Sequence, residues 1–258
     1  MKTVTSKDGT KIAYDKQGSG PVLLLILGAL NKRGSGKKLA KLLSEQFTVV
    51  CYDRRGRGDS TDTQPYDVEK EIDDIDALLS ELGGSGTLYG HSSGAVLALL
   101  AAEKLGKKVQ GVALYEVPHD DTPEAQKAAK AYRQQLKKLL TENERGDAIA
   151  LFVSSVGVTD KQIAAMQNLP LWKSLTAMAP TLAYDTVEIM KRYPKIDMQR
   201  IRIPALVMYG AASPDFMAKT AQNLAQNMPN AKLHSLEDQT HDVKPDVMAR
   251  ALMQFLRK

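Results

Sequence analysis

Among its 258 residues the chain has one cysteine, one tryptophan and no apolar run long enough for a bilayer. A single cysteine excludes an intramolecular disulfide and argues against a cysteine-bound zinc, so nothing in the cysteine content points to secretion or metal. Cys51 lies in Val49-Val50-Cys51-Tyr52, which reads as a buried strand thiol. The longest strongly apolar stretches, 22–27 and 95–102, fall well short of the roughly 20 residues that a membrane helix needs, and no membrane contact is expected. The start, Met1-Lys2-Thr3-Val4, continues polar instead of entering the apolar segment of a signal peptide, so the expected location is cytoplasmic. Charge of one sign is also scarce: 35 basic against 30 acidic residues leave +5. The basic residues thicken only at 32–38 and 127–138, with little aromatic interleaving, which fits solvated helix faces better than a nucleic-acid site.

Several chemical motifs are missing too. Gly18-Ser19-Gly20 and Gly56-Arg57-Gly58 lack the third glycine of a dinucleotide fingerprint, and Gly36-Lys37-Lys38 lacks the spacing of a P-loop. No His-Glu-x-x-His occurs among the four histidines, so neither a metal nor a cofactor is expected. What remains is an ordinary globular composition, 43% apolar and 25% charged, sufficient for a full-sized core.

Along the first half, strand-like and helix-like segments alternate. Thr10 to Tyr14, between the turn signals Asp8-Gly9 and Gly18-Ser19-Gly20, reads as a hairpin strand leading toward the buried run Val22 to Leu27. Leu39, Leu42 and Leu43 recur at helical spacing before the strand Phe47 to Tyr52. Val68, Ile72, Ile75, Leu78, Leu79 and Leu82 trace an amphipathic helix from Asp67 to a stop at Gly83-Gly84. Thr87 to Tyr89 and Gly111 to Tyr115 read as buried strands flanking a helix, 95–102, that is apolar on every side. Strands apolar throughout, alternating with helices, predict a mostly parallel sheet covered on both faces. From His119 to Arg200 only helix signals occur, among them Thr122-Pro123-Glu124 as a start. Strand character resumes at 204–210 and 231–236, and Met248, Leu252, Phe255 and Leu256 mark a last helix. The expected organisation is therefore an α/β core over 1–118 and 201–258, interrupted by a helical insertion over 119–200.

Gly90-His91-Ser92-Ser93-Gly94 stands between a strand and an apolar helix, the context in which G-x-S-x-G forms a nucleophile elbow. A serine hydroxyl attacks at neutral pH only when a base takes its proton, and imidazole is the usual base. His91 lies on the elbow beside the serine, His234 inside a strand, and His119 at the start of the insertion as a possible substrate contact. His241, between the last strand and the last helix, can reach the carboxyl edge of the sheet, where ligands bind in open α/β sheets. It is the expected base.

With the elbow and His241 in place, the chain resembles the α/β-hydrolase fold family over 10–118 and 201–258. Tyr52-Asp53-Arg54-Arg55-Gly56-Arg57-Gly58-Asp59-Ser60 is similar to the family's glycine-containing turn after an early strand, and Leu27-Gly28-Ala29 falls where members usually carry His-Gly before an oxyanion-hole residue. The resemblance implies that the backbone N–H groups of Ala29 and Ser93 form the oxyanion hole. It also implies a helical lid for the insertion, with Trp172 and Met178 as candidate pocket residues. Two acids are open. Most members place an aspartate where this chain has Ser213, with Asp215 nearby; certain members place the acid after the preceding core strand, at the register of Glu116. Ser213-Pro214-Asp215 also reads as a helix cap, a first-turn proline and a first-turn acid, and Glu116 is the preferred acid.

The expected function is a serine hydrolase, with no cofactor, acting on a small or medium apolar carboxylic ester through an acyl-enzyme. The alternatives are another reaction on the same triad, such as perhydrolysis, carbon–carbon bond hydrolysis or a lyase step, or a ligand sensor with little turnover. Oligomeric state is left open.

Overall fold

The computed structural model describes residues 1–257. Its strands are β1 (Lys2–Thr5), β2 (Lys11–Gln17), β3 (Val22–Ile26), β4 (Thr48–Tyr52), β5 (Gly86–His91), β6 (Val109–Tyr115), β7 (Ala205–Gly210) and β8 (Ala231–Leu236). They form one sheet in the order β1-β2-β4-β3-β5-β6-β7-β8. The pairs β1–β2 and β2–β4 are antiparallel and all others parallel.

The hairpin expectation needs correcting at this edge. The Asp8-Gly9 turn joins β2 to β1, a short strand absent from the sequence reading, and the second neighbour of β2 is β4, not β3. Gly18 and Gly20, at φ 78° and 116°, turn the chain past the Ser44 to Phe47 backbone; a Cβ on Gly18 would lie 2.1 Å from the Ser44 carbonyl oxygen. That passage carries β3 beyond β4 to the middle of the sheet.

Alternate residues of the central strands feed two separate cores, as the period-two geometry of a strand requires. Leu23, Leu25, Val49, Cys51, Tyr89 and Ala113 face α1 (Lys37–Leu43), and the last helix of the chain packs on the same side. Leu24, Ile26, Val50, Leu88, Val112 and Leu114 face α2 (Val68–Glu81) and α3 (Ser93–Leu105). In α1 Leu39, Ala40 and Leu43 turn inward; Leu42, about 100° further round the helix than its neighbour at 41, is 45% exposed. The α2 helix starts as expected, with Asp67 Oδ1 accepting from the Glu69 N–H at 3.0 Å. Every side chain from Ala95 to Leu99 in α3 is fully buried, and each large one contributes roughly 1.5–3 kcal/mol of transfer free energy. The elbow therefore stands on the most deeply held helix of the molecule.

Between β6 and β7 the described residues form no strand. They build α4 (Pro123–Thr141), α5 (Arg145–Ser155), α6 (Asp160–Gln167), α7 (Pro170–Met178), a π-helical turn at Tyr184–Ile189 and the short α8 (Met190–Arg192). Thr122 caps α4 and Pro123 follows it, matching the sequence signal. This insertion has its own core of Leu136, Ile149, Leu175, Met178 and Leu182, against which Ala29 and Leu30 pack from the sheet side. The chain then closes with α9 (Asp215–Asn227) and α10 (Pro245–Leu256). Among the described residues no helix is long and apolar enough to cross a membrane.

Candidate active site

Ser92 follows β5 at φ 58°, ψ −129°, a conformation that costs a non-glycine residue on the order of 1–3 kcal/mol. Its neighbours hold it there. The Ser92 N–H donates to the Tyr115 carbonyl at 3.0 Å, and the Ser92 carbonyl accepts from Ala95 N–H at 2.8 Å. The two elbow glycines are demanded by close approach: a Cβ on Gly94 would lie 2.1 Å from the Ile26 carbonyl oxygen, and one on Gly90 2.5 Å from Ala95 Cα. Gly28 faces Ser92 itself, since a Cβ there would meet Ser92 Cβ at 2.8 Å. The hydroxyl of Ser92 is partly exposed and makes no hydrogen bond among the described residues. Contacts between nucleophile and base are often open without substrate and tighten on binding.

His241 comes from the loop after β8, and its ring lies 4.7 Å, centroid to centroid, from that of His91 beside the serine. Glu116, one residue beyond β6, adopts φ 51° and is 1% exposed. Its Oε2 lies 2.7 Å from His241 Nδ1, and its Oε1 accepts the Gly210 N–H at 2.9 Å. Burial alone would raise the Glu116 carboxyl, but His241, the Ser213 hydroxyl and the Gly210 N–H stabilise its charge and hold it below the usual carboxylate range. The buried Ser213 Oγ makes no hydrogen bond of standard geometry among the described residues. His91 is driven the other way: burial, and then the neighbouring His241, push it down to about 3, and its buried Nε2 makes no hydrogen bond among the described residues. His91 is therefore neutral beside His241.

Asp215 is exposed at the first turn of α9 and makes no hydrogen bond or ion pair with His241 among the described residues, whereas Glu116 does. The expected cap is also corrected. Pro214 occupies the cap position of α9 with no side-chain cap, because the helix begins at Asp215 and the Ser213 side chain is turned inside. His234 is an exposed residue of β8, and the His119 ring packs 4.5 Å from Tyr193. Trp172 and Met178 both belong to the apolar cluster of the insertion; Met178 is 4% exposed and Trp172 packs at its edge, 3.9 Å from where a Gly146 Cβ would be.

Among the described residues the backbone N–H groups of Ala29 and Ser93 have no acceptor, Ser93 because it is the first residue of α3. The positive end of that helix lies at the same point. Behind them is a buried ionic network that sequence reasoning missed. Arg54 grips Glu71 through two bonds, at 2.7 and 2.6 Å, and donates to Asp185 at 2.7 Å; Arg57 donates to Asp185 at 2.5 Å. All four side chains are at most 2% exposed. The signal that would have pointed there is Asp185 itself, a carboxylate directly after the apolar run Leu182-Ala183-Tyr184 of a segment otherwise rich in core residues.

Comparison with known proteins follows the same geometry. The sequence profile of the alpha/beta hydrolase family matches residues 30–251. The chain belongs to the alpha/beta hydrolase family. An alpha/beta hydrolase from Sphaerobacter thermophilus DSM 20745 is similar in structure over 98% of this chain and 99% of its own, with a TM-score of 0.85 and 45% identity. The 2-(acetamidomethylene)succinate hydrolase of Mesorhizobium japonicum is 26% identical over 251 residues, 93% of this chain and 90% of that protein. An uncharacterized hydrolase of Bacillus subtilis, YraK, is 31% identical over 168 residues; the match covers 61% of this chain and 58% of that protein's length. This alpha/beta hydrolase thus has the mostly parallel sheet of the family, and its relatives are hydrolases.

Proposed function

We propose that this alpha/beta hydrolase cleaves small or medium apolar carboxylic esters through an acyl-enzyme on Ser92. The observation that carries the proposal is the 2.7 Å contact of Glu116 with His241 Nδ1 beside a serine held at φ 58°. A carboxylate on Nδ1 fixes the tautomer that leaves Nε2 free to accept a proton. His241 takes the Ser92 proton as the hydroxyl oxygen attacks the ester carbonyl, and Glu116 stabilises the resulting imidazolium. The N–H groups of Ala29 and Ser93 bind the oxyanion, each donor contributing on the order of 3 kcal/mol to the transition state. His241 then gives its proton to the leaving alcohol, and the same base activates water for deacylation.

In this reading residues 1–118 and 201–258 are the catalytic core and 119–200 is a lid, whose apolar cluster borders the oxyanion loop through Ala29 and Leu30. An apolar border favours an apolar acyl group. The reading is tested by turnover of p-nitrophenyl butyrate. Wild type is expected to exceed Ser92→Ala by a factor of about 10³ or more; equal rates would remove the serine-hydrolase reading and leave a binding role.

A further inference from the structure

The carbonyl oxygen of Gly28 and the N–H of Ala29 belong to one peptide unit, which resonance keeps planar. Whatever fixes the direction of that oxygen also fixes the opposite direction of the Ala29 N–H. Arg57 Nη1 donates to the Gly28 oxygen at 2.8 Å from a guanidinium that is 1% exposed. A cationic donor on a carbonyl also polarises the amide, and the N–H on its other side becomes a stronger donor.

The guanidinium is in turn held by the insertion. Asp185 Oδ2 accepts from Arg57 Nη2 at 2.5 Å, while Oδ1 accepts from Ser93 Oγ and from Arg54 Nη1, both at 2.7 Å. Arg54 Nη1 also reaches the Leu27 carbonyl at 3.3 Å. One fully buried carboxylate therefore touches the residue that carries one oxyanion donor and, through Arg57, orients the peptide that carries the other. It sits in the π-helical turn Tyr184–Ile189, a geometry common at functional sites. Tyr184 fastens that turn to the core by stacking on Tyr66 at 3.7 Å and 7°. Tyr66 donates to Glu71, the second carboxylate on Arg54.

Resting on the ester-hydrolase reading above, we infer that Asp185 is a positioning residue that sets the oxyanion hole from within the insertion. Docking of the insertion and alignment of the two donors are then one event. A carboxylate that merely anchors helices would affect stability, and would leave the ratio of kcat to KM in a folded variant alone.

The test uses Asp185→Asn and the milder Ser93→Ala, which keeps both backbone donors and removes only the hydroxyl bonded to Asp185. Steady-state kinetics on p-nitrophenyl butyrate, with folding checked by circular dichroism, should give a kcat for Asp185→Asn lower by on the order of 10- to 100-fold with little change in KM. Ser93→Ala should move in the same direction by a smaller factor, and carries the test alone if Asp185→Asn does not fold. Folded variants with wild-type kcat, or with a change confined to KM, would overturn the inference. Amide hydrogen exchange at Ala29, measured relative to amides of α10, separates it from the reading it rests on. If wild type turns over no ester, the ester reading fails by itself. Faster relative exchange at Ala29 in the variants would still support the positioning role, and unchanged exchange would end it.

Discussion

Replacing Glu116 by Gln keeps size and shape but reverses one hydrogen-bonding face, and the structure sets the consequence. The two carboxylate oxygens have different duties: Oε1 accepts the Gly210 N–H at 2.9 Å and Oε2 meets His241 Nδ1 at 2.7 Å. A carboxamide has one acceptor. If its oxygen faces Nδ1, its NH₂ confronts the buried Gly210 N–H, and an unpaired buried donor costs roughly 1–3 kcal/mol. If its oxygen faces Gly210, the NH₂ faces Nδ1 and forces that nitrogen to accept, which puts the ring proton on Nε2 and removes the base. The second arrangement avoids the penalty, so the wrong tautomer should dominate. The loss expected from that change is on the order of 10⁴ in kcat, equivalent to about 5.5 kcal/mol at 1.36 kcal/mol per decade. Asp215→Asn serves as the comparison, because Asp215 is exposed and makes no hydrogen bond or ion pair with His241 among the described residues. Its kcat should stay within about two-fold of wild type, as surface substitutions away from a site usually do. Initial rates on p-nitrophenyl butyrate, with thermal melts to confirm folding, decide the matter. Retention of activity in Glu116→Gln together with loss in Asp215→Asn would refute the reasoning and move the acid to α9.

Further outcomes follow from other parts of the molecule. Gly94→Ala should abolish soluble folded protein or cut its Tm sharply, because the added Cβ would lie 2.1 Å from a backbone oxygen of β3 that has no room to move; a melt at the wild-type temperature would contradict the close packing of elbow and sheet. Cys51 is 4% exposed and burial, with Asp15 nearby, pushes its thiol up to about 12, so native protein should not react with an aromatic disulfide reagent at pH 8 and urea-unfolded protein should react with one equivalent. Burial opposes ionisation of Asp185, but Arg57, Arg54 and Ser93 outweigh it and hold its folded pKa below the usual value. Its stabilisation is therefore complete above the unfolded pKa of about 3.9 and is withdrawn as pH falls below that toward the folded value. Unfolding free energies from urea melts should separate wild type from Asp185→Asn by about 3–5 kcal/mol at pH 5 and by less below pH 3; a gap independent of pH would count against the ionised network.

What the sequence disclosed and what it hid have physical causes. The elbow was legible because strand, turn and apolar helix are contiguous, so Ser92 and its glycines announce themselves within a dozen residues. Glu116 was legible from its place at the end of a buried strand, since a carboxylate there must find a partner. The contact of Glu116 with His241 was not legible, because the two meet across 125 positions, a closure that only the folded sheet supplies. The partners of Asp185 were hidden for the same reason: it meets Ser93 across 92 positions and Arg54 across 131. The strand β1 was missed because it is four residues long and mostly exposed, which leaves no apolar pattern to read. Leu42 and Ser213 show the other limit: a one-residue shift in facing or in a helix start reverses inside and outside, and local propensity does not resolve it.

The central claim is that Ser92 becomes covalently acylated, and intact-protein mass spectrometry after rapid acid quenching of p-nitrophenyl butyrate turnover tests it most directly. A variant at His241, Ala in place of the base, should slow deacylation after any residual attack and aid trapping. Wild type should show a butyryl mass increment that peptide mapping places on the 90–94 segment and that Ser92→Ala lacks. Efficient turnover with no adduct at Ser92, or an adduct that persists in Ser92→Ala, would contradict the central claim.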